Sequence, residues 1–164
     1  MRRLIYGIII ALFTVTACTS INCPVNNLVM THYGLQKPDG STDTLGVDTL
    51  WVWIENGEGI DDTLINSLYG SKTNFSIPVS YTLPEDMVCT SLHDNNGNEW
   101  LDTIWLKKEN YPHFEGVDCQ SNYFHTLTGV RSSHRIIDTV IINKTDVNYD
   151  GSTPHLFLRL KARR

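Results

Sequence analysis

From residue 27 to residue 161 the chain is a succession of short runs in which apolar and polar side chains alternate, each run ended by Gly, Asn, Asp or Ser. A period of two sends successive side chains to opposite faces of an extended backbone. Val, Ile, Thr, Trp and Tyr, which suit a pleated surface, fill these runs. Strands are expected near residues 27–36, 48–55, 61–66, 73–81, 86–93, 99–107, 122–131, 135–143 and 155–161. No amphipathic helix emerges; "DTLINSLYG" (62–70), which overlaps the strand expected at 61–66, is the only stretch that could form one short turn. "DNNGNE" (94–99) sets Asn96-Gly97 between two runs, the strongest local hairpin signal in the chain. "KPDGST" and "NYDGST" read as turns. Many short strands joined by turns predict an all-β fold, an immunoglobulin-like β-sandwich, with a small β-barrel as the alternative.

The first 17 residues do not fit that pattern. Arg2 and Arg3 precede an apolar run from Leu4 to Ala17. As a helix, these 14 residues reach about 21 Å, short of a bilayer core about 30 Å thick. The layout is that of a secretory signal peptide, residues 1–17. The "VTAC" that ends it resembles the bacterial lipobox, in which the peptidase cuts before the cysteine and a diacylglycerol is attached to its thiol. Cys18 is therefore expected to be lipidated, with the lipid bilayer as its partner. Residues 18–26 then serve as lipid anchor and tether, 27–161 as one β domain, and 162–164 as a basic tail.

Loss of residues 1–17 removes two arginines and no acid, leaving 147 residues with 11 Lys and Arg against 18 acids, a net charge of −7. That charge argues against a nucleic-acid partner. Three cysteines remain: Cys23, Cys89 and Cys119. An exported location permits disulfides. Three thiols cannot all pair within one chain, and spacing alone does not choose among them. Cys89 lies in the apolar run "MVCTSL", where cysteine acts as a small core residue, so Cys23–Cys119 is favoured.

Motifs that carry chemistry are few. Asp94, Asn96 and Asn98 match the first three ligand positions of an EF-hand loop, but Glu99 stands where glycine is needed and Trp105 where the bidentate glutamate is needed. "PHFE" places His113 and Glu115 two apart, on one side of a strand; with His125 or His134 they would make a weak candidate metal or acid–base site. No nucleophile elbow, zinc-protease helix or phosphate loop is present. The expectation is a non-enzymatic chain with no cofactor. In "LWVWI", Leu50, Val52 and Ile54 share one face, and Trp51 and Trp53 the other. An outward indole pair can stack on sugars or anchor a partner; the alternative is a strand buried on both faces.

"NCPVNN", "FSIPVSYTLPED", "DTIWLKKENYPHFEGVDC", "YFHTLTGVRSSHRIIDTVIINKTDVNYD" and "HLFLRL" together resemble a family of small Bacteroidota lipoproteins, a family of unknown function termed DUF6452. The resemblance spans most of residues 21–161. It implies an all-β secreted domain flanked by Cys23 and Cys119, and no activity. Cys89 and the Trp51/Trp53 pair stand outside it. One repeat remains: Asp-Thr followed by an aliphatic residue, with threonines at Thr44, Thr49, Thr63, Thr103 and Thr139. It is a sound way to enter a strand, since Asp closes a turn and Thr begins a β run. It also resembles the O-glycosylation signal of envelope proteins in that phylum, with Thr44 the most turn-rich setting and Thr103 the least accessible. The expected function is a membrane-anchored binding or structural module of the cell envelope, with an envelope protein or glycan as partner. The alternatives are a glycan-binding module using Trp51 and Trp53, or a metal-dependent enzyme around His113 and Glu115. The expected location is the outer membrane facing the periplasm, with the cell surface as alternative.

Overall fold

The computed structural model describes Cys23 and residues 29–55, 61–116, 119 and 121–161; the side chains of 55 and 61–67 are outside the description. The expected signal peptide, the lipidation site Cys18, all of the tether but Cys23, and the tail 162–164 lie outside the described residues. Among those described, the chain is all β. It forms β1 (Met30–Leu35), β2 (Gly46–Glu55), β3 (Asp61–Gly70), β4 (Asn74–Pro78), β5 (Glu85–His93), β6 (Glu99–His113), β7 (Asn122–Ser132), β8 (Ile137–Ile142), β9 (Asp146–Val147) and β10 (Leu156–Leu160).

Two sheets result. A four-stranded sheet runs β4-β1-β10-β8, and a six-stranded sheet runs β3-β2-β5-β6-β7-β9. The larger one is curled into a half-barrel. β1 and β10, the first and last strands, lie parallel with Tyr33 opposite Leu156, while the other pairings are antiparallel. Register shifts between Lys107 and Lys108, and in β2 between Val52 and Ile54, add the local twist that curling requires.

The alternation in sequence becomes the two faces of each sheet. Tyr33 and Leu35 of β1 and Leu156, Leu158 and Leu160 of β10 meet Leu50 and Val52 of β2, Val88 and Leu92 of β5 and Ile104 and Leu106 of β6 in one core. Tyr33 stacks on Phe75 at 4.7 Å between ring centres. Burying such a Leu or Ile side chain contributes about 1.5–3 kcal/mol, so this alternation is what holds the sheets together.

Four elements differ from expectation. β3 begins where the strand expected at 61–66 begins and runs four residues further to Gly70, so "DTLINSLYG" is strand throughout; it pairs with β2 from Ile54 to Gly46, and Leu68 reaches the core. Pairing outweighs a weak local preference. β6 continues to His113, six residues beyond the expected end, through "KENYPH", which has no apolar alternation. Past Lys107 its ladder partner is β7 alone, a setting that tolerates Pro112. β4 stops at Pro78 rather than 81, and the two-residue β9 had no sequence signal.

Candidate binding face

The site begins with β2. Leu50 and Val52 point into the core, so Trp51 and Trp53 point away from it, and Trp51 is 40 % exposed. Cross-strand register continues this outer face. Trp51 lies opposite Ser91, which lies opposite Leu101; Trp53, Cys89 and Thr103 form the next row; Met87, Trp105 and Arg131 form the third. The solvent side of an antiparallel sheet is ordinarily polar. Here three indoles, Met87 and Leu101 occupy it, and Leu101 is 49 % exposed.

The indoles are not equivalent. The Arg131 guanidinium sits 3.9 Å from the Trp105 ring centre, and Arg131 also faces Glu85 at 3.6 Å, so one face of Trp105 is covered. Trp51 meets His93 edge-on at 6.0 Å. Beside it, Ser91 Oγ donates to Glu99 Oε1 at 2.8 Å and lies 2.9 Å from His93 Nε2, whose N–H it is placed to accept. Ser91 is buried, and its proton is directed at the Glu99 carboxylate. The arrangement offers an apolar plate with a hydrogen-bonding rim.

The other sequence candidates separate. His113 Nε2 and Glu115 Oε1 are 3.1 Å apart, and the His113 ring stacks on Phe124 at 4.0 Å. His125 lies across from Asn110, three residues from His113, and so faces the opposite side of the hairpin. It is buried and holds Asn110 Oδ1 at 2.7 Å. Burial, with the Lys108 charge assisting, pushes its pKa down to about 4. His134 pairs instead with the Asp138 carbonyl at 2.9 Å. Among the described residues no group of three His, Cys, Asp or Glu is placed to hold a metal. The Asp94 carboxylate accepts the backbone N–H groups of Asn96 and Asn98 and both of their side-chain amides, which closes a turn.

Cys23 is bonded to Cys119, 96 residues away, and Cys89 takes no part in that bridge. Cys89 is buried, but under the outer face between Trp53 and Thr103, not in the core between the sheets as its apolar run suggested. Among the threonines, Thr44 is exposed in the loop before β2. Thr49 lies in β2 between Tyr69 and His93, and Thr103 lies in β6 opposite Cys89, its carbonyl accepting the Ser133 N–H on the other side. Thr139 lies in β8 with its hydroxyl on Asp138, and Thr63 lies in β3, its side chain outside the description.

Sequence reasoning missed two buried charges of β6. Asp102 and Lys108 share the inward parity of Ile104 and Leu106, and that parity was the available signal. The Lys108 ammonium donates to Asp86 Oδ1 at 2.9 Å and to the Leu83 carbonyl at 2.7 Å. Burial pushes the Asp86 pKa up, and Lys108 opposes that push. Asp102 accepts from the backbone N–H groups of Thr103, Ser133, Arg135, Ile136 and Ile137 and from the Ser133 hydroxyl. Burial works to raise its pKa, but these donors outweigh it and hold the carboxyl below its usual range. Both groups are internal fasteners.

No curated protein and no solved structure matches the chain significantly. A family model does, over residues 49–159, which span β2 to β10 and with them the whole outer face. The chain therefore belongs to that family, the family of unknown function DUF6452.

Proposed function

We propose that this chain is a lipid-anchored module of the bacterial cell envelope that binds a partner and does not catalyse. The observation that carries the reading is the aromatic outer face of the six-stranded sheet, centred on Trp51 and Trp53. A glycan is the favoured occupant: Trp51 supplies a stacking plate, and Ser91, His93 and Glu99 supply polar groups beside it. Titration of the mature protein with neutral envelope polysaccharides should shift its tryptophan emission, and Trp51→Ala should abolish the shift without changing stability. Binding that ignores Trp51→Ala, or none across the panel, removes the reading; binding of a purified envelope protein at Trp51 instead favours the protein-partner alternative.

Anchoring rests on the lipobox-like residues 15–18. Native protein should carry the mass of a diacylated or triacylated Cys18, and Cys18→Ala should release it from the membrane or leave it uncleaved. The proposed location is the periplasmic side of the outer membrane; digestion of the protein by protease added to whole cells would place it at the surface instead. Of the five Asp-Thr sites, Thr44 is the proposed glycan carrier because it is exposed in a loop. Peptide mapping of native protein tests it, and an unmodified Thr44 leaves the repeat as strand-entry chemistry.

A further inference from the structure

The end of the β6–β7 hairpin carries a second aromatic surface, ten residues along β6 from the Leu101 that shares a row with Trp51. Tyr111 and Phe124 are opposite one another, and the next pair, Pro112 with Tyr123, faces the other side of the hairpin. Tyr149 packs on Phe124 at 4.9 Å, and Tyr81 stacks on Tyr123 at 5.1 Å. Aromatic rings thus flank both faces of the hairpin end, and several are bare. Tyr81 is 61 %, Tyr111 41 %, Phe114 66 % and Tyr149 39 % exposed. No Lys or Arg occurs from residue 109 to 124.

The same end is where the N-terminal segment is fastened. Cys119 lies in the loop that follows Phe114, and its Cα is 5.6 Å from that of Cys23. Five residue steps separate Cys23 from Cys18, a reach of at most about 18 Å. A domain of this length has a radius of gyration of roughly 14 Å, hence a diameter above about 30 Å. The tether is therefore shorter than the domain is wide. An anchor at Cys18 holds the hairpin end near the bilayer and cannot let the far side of the domain turn to it.

We propose that the exposed aromatic end of the β6–β7 hairpin, with Tyr81, Tyr111, Phe114 and Tyr149, rests in the headgroup region of the membrane to which Cys18 is anchored. The inference depends on the lipid anchoring proposed above. Tyrosine suits that depth because its ring is apolar and its hydroxyl stays wet. Residues 109 to 124 hold the acids Glu109, Glu115 and Asp118 and no Lys or Arg, so the contact is made by the aromatic rings and not by attraction to anionic headgroups; it holds on zwitterionic lipid and resists salt. Docking in this pose orients the domain, with its disulfide against the membrane and the loops at the opposite end of the sheets away from it.

Hydroxyl-radical footprinting of the mature lipoprotein on phosphatidylcholine vesicles, against the soluble Cys18→Ala chain, tests this. Vesicle flotation run in parallel reads the anchor by itself. Oxidation of Tyr81, Tyr111, Phe114 and Tyr149 should fall several-fold on vesicles at both low and high salt, while Trp51, Tyr69 and Trp100 stay unchanged. Phe114→Asp should restore oxidation of Tyr111 and Tyr149 while flotation persists. A chain that floats with the four aromatics as reactive as in solution overturns the docking and leaves the anchor intact. A chain that does not float overturns the anchor, and the docking with it.

Discussion

Asp102 illustrates how little a residue type says about its role. By motif it belongs to the Asp-Thr-aliphatic repeat, yet its carboxylate accepts from the N–H of Thr103 beside it and from four backbone N–H groups and one hydroxyl that shape the turn from β7 to β8. Asp102→Ala would strand those donors, several of them buried, and is expected to cost about 3–5 kcal/mol in urea denaturation. Lys108 and Asp86 make the complementary case. Lys108→Met leaves a buried carboxylate uncompensated and should cost about 3–5 kcal/mol, whereas the double variant Lys108→Met with Asp86→Leu should cost less than either single change. Additive losses in that cycle would show that the pair is not coupled.

Hairpins and strands were legible to the extent that their signal is local. Asn96-Gly97 marked the β5–β6 turn, and Gly97 does adopt a positive φ of 81° with open space around it. Gly97→Ala meets no neighbour but strains the backbone, so a loss of about 1–2 kcal/mol is expected, with the two-sheet circular dichroism signature retained. β2 was equally legible, because Leu50 and Val52 alternate with Trp51 and Trp53 in the residues themselves. The distal half of β6 was not. "KENYPH" is extended because β7 lies beside it, and no local preference in those residues anticipates that partner.

Across the whole molecule, two long-range features set stability. The Cys23–Cys119 bridge closes a span of 96 residues, which on the chain-entropy model contributes about 4–5 kcal/mol. Cys23→Ser should lower stability toward that figure and raise the urea m-value, since the unfolded chain becomes more extended. The second feature is acid sensitivity. His125 and His155 are both buried, and burial pushes each pKa from 6.5 down to about 4. The unfolded chain takes up protons below pH 6.5 while the folded one does not, so stability is full above pH 6.5 and falls as pH drops toward 4. Urea midpoints at pH 7.5, 5.5 and 4.5 should decline in that order, and His125→Gln should flatten the decline.

The sequence by itself determined the fold class, the division of Leu50 and Val52 from Trp51 and Trp53 onto opposite faces, the Asn96-Gly97 hairpin and, with the family resemblance, the pairing of Cys23 with Cys119. These are readable because each depends on a period of two, on a dihedral that only certain residues adopt, or on a count of thiols. Tertiary structure alone decided the parallel pairing of β1 with β10, the curl of the larger sheet and the placement of Cys89 beneath the outer face. It also assembled Asp86 with Lys108 and Asp102 with the β7–β8 turn, and it gathered the aromatics of β6, β7 and two distant loops beside Cys119. The physical reason is common to all of these. Each joins residues far apart in the chain, and the energy that joins them appears only when two faces meet and exclude water.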